Sequence, residues 1–226
     1  MTESDFHKLL QETAEVFNNS NIWKVQGEKW GYSISATRIL PDRPLILGFN
    51  WGVGKDENSF KRQLEMPRET FQDLINKKDL GSLSRIVPYL EKYLPEISLS
   101  DFGQSNYCFF RSKTEGQILE GDLELCKGLF QYFLAVSSPS MIISLSGRLR
   151  KYLLNPDIQT ILKNIVESEP IKFGRRGREI TYVAAKGLLE NSGRNIPIYF
   201  LPHPNSPMTT GARHQAWKFC FERSRQ

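Results

Sequence analysis

The chain has 226 residues, enough to bury one sizeable core, and its 39% hydrophobic and 24% charged residues match an ordinary globular domain. Lys and Arg number 30 against 25 Asp and Glu, a formal charge of +5 with a pI near 9.1; this mild excess is compatible with a nucleic-acid partner without requiring one. No apolar run approaches a membrane span, the start MTESDFHKLL is too polar for a secretory leader, and Cys108, Cys126 and Cys220 are too scattered for a disulfide framework or a CxxC metal pair, so a cytoplasmic protein with small buried cysteines is expected.

In chain order, Thr2 or Ser4 can cap a first helix carrying Phe6, Leu9, Leu10 and Phe17 at helical spacing, which ends in the turn from Asn18 to Asn21. Tyr32 to Ile39 alternates, as an edge strand or an extended approach to the core would. Leu45, Ile46 and Leu47 form the short apolar run of a strand covered on both faces, and Gly48 stops it. The loop beyond, to Phe60, holds Gly52 and Gly54 among the polar residues Asn50, Lys55, Asp56 and Asn58. Helices are expected over Arg68 to Lys77 and Ser84 to Tyr93, the second closed by Pro95.

Asn106 to Phe110 reads as a second strand leading into Arg111, Ser112 and Lys113, and a helix from about Gly121 to Val136 covers it with Leu125, Leu129, Phe130 and Phe133. Met141 to Leu145 is a third buried strand, followed by a basic helix from Arg148 to Leu154 and a further helix from Pro156 to Ser168. Ile171 to Ala185 reads as a hairpin turning at Gly174 to Gly177. Pro197 to Leu201 is the last core strand, opening into PHPNSPMTTG before a closing helix with Trp217 and Phe219. Strands separated by helices throughout imply one α/β domain, a three-layer sandwich around a central, mostly parallel sheet of about four strands.

In such a sheet the loops at Gly48, Asn106 and His203 can converge on one crevice past the carboxyl ends of the strands. Common motifs are missing there. Phe49 stands where a P-loop ending in Gly54-Lys55 needs its first glycine, and Asp56 replaces its Ser or Thr. The spacing G-x-x-x-G-x-G is not a dinucleotide fingerprint, no G-x-S-x-G elbow occurs, and three histidines without HExxH supply no evident metal ligands. Basic residues cluster at Arg148, Arg150 and Lys151, at Lys172, Arg175, Arg176 and Arg178, and at Arg213, Lys218, Arg223 and Arg225; solvated helix faces and a hairpin would also account for any one of these clusters.

Taken together, GFNWGVG, SNYCFFRSK, IISLSGRLRKYL and FLPHPNSPMTTGA, each at a strand and in this order, resemble the four landmarks of the uracil-DNA glycosylase superfamily from Pro44 to Cys220. The resemblance implies an enzyme that hydrolyses the N-glycosidic bond of uracil, or a related damaged base, flipped out of DNA, leaving an abasic site. It implies a monomer with no metal or cofactor, acting on DNA and not at a membrane. Asn50 would orient the attacking water and His203 would stabilise charge on the departing base. Gly48, Phe49, Phe60 and Asn106 would bind the base, Phe60 by stacking and Asn106 by pairing with its edge. A basic rim of Arg111, Lys113, Arg148, Arg175, Arg176 and Arg213, with Lys55 and Ser206, would follow the phosphates.

Asn at position 50 is similar to the single-strand-selective and mismatch-specific branches, whereas another branch carries Asp there. Trp51 departs from the family's usual Pro, Asn205 shifts Ser206 by one place, and three cysteines cannot supply the four thiolates of the iron-sulfur branches. An inactive relative that binds a nucleotide or other small molecule on the same fold is the alternative, and an interaction module without a site is a third reading. Each residue also has a structural role open to it: Asn50 in satisfying loop backbone, His203 in ending a strand, Phe60 in the core, His214 at the surface or against DNA, and His7 in packing.

Overall fold

A computed structural model describes residues 1–52, 62–155, 162–175 and 178–222. Helix α1 (Glu3–Asn18) starts at a capping box in which the Thr2 hydroxyl and the Asp5 carboxylate satisfy each other's backbone N–H groups, and α2 (Asn21–Gln26) is capped by Ser20. Strand β1 (Leu45–Gly52) follows an irregular stretch, then α3 (Phe71–Lys77) and α4 (Val87–Tyr93). Next come β2 (Gly103–Ser112), α5 (Glu120–Ser137), β3 (Ile142–Ser144) and α6 (Gly147–Leu153). Four further strands, β4 (Leu162–Glu167), β5 (Ile171–Arg175), β6 (Arg178–Tyr182) and β7 (Ala185–Asn191), precede β8 (Arg194–Phe200) and α7 (Thr210–Phe221).

The central sheet has six strands in the order β2-β1-β3-β8-β7-β4. Its first four are parallel, with Leu45 opposite both Gly103 and Ile142, and Ile142 opposite Ile198. β7 and β4 extend the sheet antiparallel, while β5 and β6 form a separate hairpin. The period-two pleat sorts side chains to two cores. Leu45, Leu47, Phe49, Ile142 and Ile198 enter one core with residues of α1, α2, α5 and α6; Ile46, Ile143 and Leu145 enter the other with α3, α4, α7 and the hairpin's Ile171 and Phe173. Helices thus cover both faces of a mostly parallel sheet, the three-layer α/β arrangement expected from the order of elements.

Several expectations need correction. The helix read over Pro156 to Ser168 is strand β4 in its described part, because Ile165 and Val166 suit a strand and the free edge of β7 offers backbone partners. The sheet is larger than about four strands because β7 returns antiparallel beside β8 through a tight turn at Ser192 and Gly193, both with positive φ. That pair of φ values is what a two-residue primed hairpin turn requires. Tyr32 to Ile39 is an extended approach to β2, with isolated bridges from Tyr32 to Phe110 and from Ser35 to Ser105 and backbone bonds from Ser33 to Phe109 and from Ala36 to Gln104. Leu125 points outward at 37% exposure, and Leu123, Cys126 and Leu134 fill the core beside Leu129, Phe130 and Phe133. Of the described helices none is long and apolar enough to cross a membrane.

The two sides of α5 should therefore respond differently to truncation. Phe133→Ala empties a wholly buried site against Phe109 and Phe130 and is expected to cost about 3–5 kcal/mol. Leu125→Ala should stay within about 0.5 kcal/mol. Denaturant unfolding of both variants measures the difference, and comparable losses would place Leu125 in the core.

Candidate functional site

Because β1, β2, β3 and β8 run parallel, the chain leaves all four at one edge of the sheet, so the segments after Leu47, Phe110 and Leu201 open on the same side. Gly48 lies opposite Asn106 across the β1–β2 ladder. A Cβ on Gly48 would sit 2.0 Å from Asn106 Oδ1, so the amide occupies the space that the glycine leaves. Asn106 is only 7% exposed, and its side-chain amide makes no hydrogen bond among the described residues. Its polar atoms still reach solvent, so the amide is open to an outside partner. It offers one donor and one acceptor side to whatever fills the neighbouring space.

Two residues beyond Gly48, Asn50 pairs with Cys108, and the register shifts between Asn50 and Trp51. This irregularity turns the end of the strand away from a regular ladder. Asn50 Nδ2 donates to the Trp51 carbonyl at 2.9 Å and to Ser112 Oγ at 2.7 Å. Ser112 is buried and passes its own proton to the Thr114 carbonyl at 2.8 Å. Since the Trp51 carbonyl can only accept, the amide nitrogen must face it, and both its hydrogens are spent on these two partners. Asn50 is thereby oriented with its oxygen left as an acceptor.

Trp51 is held on the opposite side. Its indole N–H donates to the Ser33 carbonyl, while Arg111 donates to the Gly52 carbonyl at 3.0 Å and to Ser33 Oγ at 2.7 Å. The Arg111 guanidinium also lies 5.9 Å from the centre of the Trp51 ring. Trp51 and Arg111 together tie the end of β1 to the segment that flanks β2.

After β8 the chain makes a turn in which the Ser206 N–H returns to the His203 carbonyl at 2.8 Å, with Pro204 at the position where its fixed φ favours such a turn. Inside it, the Asn205 N–H donates to His203 Nδ1 at 3.1 Å. Nδ1 is then the acceptor and the proton of the neutral ring is on Nε2. His203 is exposed at the rim, yet the atoms around its ring disfavour charge and hold its pKa below the ordinary 6.5; Glu115 opposes this and Arg213 adds to it. Glu115 follows directly on Thr114, so the segment that orients Asn50 also bears on the charge of His203.

Other expected site residues are placed differently. The Phe49 ring is in the core and only 3% exposed, covered by the Arg148 guanidinium 4.5 Å from its centre, so it is packing instead of a wall of the crevice. Arg148 donates to the Ile118 carbonyl, and Arg111 and Arg213 are likewise engaged by backbone carbonyls. Ser206 accepts from Arg213. Lys113 is exposed. Arg175 ends β5, and Lys55, Phe60 and Arg176 lie outside the described residues. His214 packs on Tyr89 and meets the Tyr93 hydroxyl, while His7 is exposed on α1 near Glu3. Among the described residues no group of three His, Cys, Asp or Glu is placed to hold a metal ion. Ser112, Thr114, Glu115 and Arg85 had no motif to mark them in the sequence; only the fold brings them to the site.

The Gly48–Asn106 contact generates a mutational cycle. Gly48→Ala forces a methyl group into the place of the Asn106 amide and should cost about 1–3 kcal/mol, the scale of overpacking. Asn106→Ala should cost less, because the amide it removes gives up no hydrogen bond. The double variant should recover about 1 kcal/mol or more of the sum, as touching residues do. Additive losses in denaturant unfolding would show that the two positions do not share this space.

No family model matches the chain, and no curated protein matches it.

Proposed function

We propose that this chain is a DNA glycosylase that hydrolyses the bond between deoxyribose and a flipped-out uracil or related base. The observation that carries the reading is the Asn106 amide, nearly buried and unpartnered beside Gly48, at the edge where Asn50 and His203 also lie. An amide so placed suits a base edge that presents a carbonyl next to an N–H, as uracil does. The parallel order β2-β1-β3-β8 supports it further, by bringing the segments after β1, β2 and β8 to a single edge.

The chemistry follows from what each group can do. The bond from C1′ to the base nitrogen breaks with its electron pair leaving on the base, so negative charge grows on the base oxygens and positive charge on the sugar. The neutral His203 ring, with Nδ1 occupied, presents Nε2–H as a donor to that developing oxyanion. Asn50 takes no proton at neutral pH, but its free oxygen can accept a hydrogen bond from water and aim it at C1′. The water's oxygen bonds to C1′ and its proton passes to solvent or to the departing base. Nothing in this sequence calls for a metal or a covalent intermediate, and the strand is left uncut.

Uracil release from single strands and from U:G and U:A duplexes tests the reading, with an abasic site as the accompanying product. Asn50→Ala and His203→Ala should each lower the rate roughly 10²-fold or more, the effect of losing one preorganised polar group. Their combined loss should be smaller than the product of the two. A wild-type protein inactive on all three substrates would refute the proposal, and full activity in either variant would refute that residue's role.

The pH profile gives an independent check. The working form of His203 is neutral, so activity is lost as falling pH protonates the ring, and its lowered pKa moves that loss below 6.5. The acid limb of the single-turnover rate should accordingly lie on the acid side of an ordinary histidine. An acid limb above 6.5 would contradict the assignment.

A further inference from the structure

The guanidinium of Arg213 is bonded to three backbone carbonyls and a hydroxyl near the proposed site. Its NH1 donates to the His203 carbonyl at 3.1 Å, and its NH2 faces the Pro204 carbonyl at 2.9 Å, the Ser206 carbonyl at 2.6 Å and Ser206 Oγ at 3.1 Å. Arg213 sits in the first turns of α7, whose N-cap Thr209 accepts from the Ala212 N–H. α7 is anchored by Trp217, which is 1% exposed and stacked on Tyr89 at 5.5 Å and Tyr93 at 6.2 Å. A rigid helix thus carries a planar fork into the concave side of the His203 turn, where three carbonyls converge.

We propose that Arg213 is a positioning residue for His203: it braces the turn from His203 to Ser206 from within, and so holds the Asn205 N–H on His203 Nδ1 and the Nε2–H toward the crevice. Arg suits this role and Lys does not, because three carbonyls and a hydroxyl in different directions need the fixed fork of a guanidinium. Arg85 helps from the other side by donating to Asn205 Oδ1 at 3.0 Å. The charged groups that face the turn are therefore Arg213 from α7, Arg85 from the segment before α4, and Glu115 from the segment after β2. A cation committed in this way is not free for phosphate, which is the role its place in a basic cluster would otherwise imply.

The catalytic meaning of this inference rests on the glycosylase reading, but the state of the His203 ring can be measured without it. Long-range proton–nitrogen NMR of the full-length protein at neutral pH should show wild-type His203 as the Nε2–H tautomer. Arg213→Lys keeps the positive charge and loses the fork, so it should give mixed tautomers and a ring that protonates at higher pH. Arg213→Gln, which removes the fork, should likewise mix the tautomers and serves if the lysine variant fails to fold. In uracil release, Arg213→Lys should lower kcat about 10- to 10²-fold with little change in KM or in the salt dependence of DNA binding.

An unchanged tautomer in both variants would overturn the proposal. A raised KM with a shallower salt dependence and unchanged kcat would assign Arg213 to phosphate and overturn it too. A shifted tautomer in a protein that releases no uracil would uphold the brace and reject only the glycosylase reading.

Discussion

The pairing of β1 with β2 on one side and β3 on the other is the constraint on which the site depends. Parallel pairing in one register sets Gly48 against Asn106 and Asn50 against Cys108, and leaves the strand ends at one edge. A one-residue slip would reverse every side chain of β1, sending Leu45 and Leu47 to the wrong core and exchanging the places of Gly48 and Phe49. The register is held by burial on both faces, since Leu45, Ile46 and Leu47 are all within 1% exposure. The same burial that stabilises the fold therefore decides which polar groups meet at the edge.

The guanidinium donors at this edge are largely engaged by the protein itself. Arg111 holds Gly52 and Ser33, Arg148 covers Phe49 and holds Ile118, Arg150 holds Val183 and Glu167, and Arg213 holds the His203 turn. Irregular backbone past strand ends leaves carbonyls without ladder partners, and arginine satisfies several at once while keeping its charge partly hydrated. A count of basic residues near the loops thus overstates the donors free to contact a polyanion directly. Lys113 and Arg178 are exposed cations, and Lys172 pairs with Glu179 on the hairpin. Attraction to DNA on this face would come from the summed field more than from any one contact.

What could be read from the sequence follows the strength of local patterns. The buried runs at Leu45, Asn106 and Met141, the apolar spacing of α1 and the hairpin at Ile171 each carry a period or turn that tertiary context leaves intact. β7 was not legible because AKGLLEN has no clean alternation, and its identity as a strand comes from pairing with β8 across the Ser192-Gly193 turn. β4 misled because its apolar residues fit a helical period as well as a strand that packs only partly. At the site, Asn50, Asn106, Gly48 and His203 stood out by residue type at strand ends, and the fold brings the segments that carry them to one edge. Their supports did not stand out: Ser112 is one serine among many, and that it accepts from Asn50 follows only from the register of β1 and β2.

Trp51 shows how a large side chain near the end of a strand can fix the polar group before it. A proline after Asn50 would stiffen the exit from β1 by fixing φ. Trp51 instead lends its carbonyl to the Asn50 amide, while its indole is anchored to Ser33 and lies beside Arg111. The backbone beyond Asn50 is restrained through a side chain held on the far side, and the ring is directed toward the Ser33 segment. Asn50 consequently owes its orientation to two anchors, the buried Ser112 from β2 and the carbonyl of the half-buried Trp51 in its own strand. The Asn106 amide fills the space beside Gly48, while the indole is engaged by Ser33 and Arg111. The bulk of residue 51 is thereby accommodated against Ser33 and Arg111 at the end of β1.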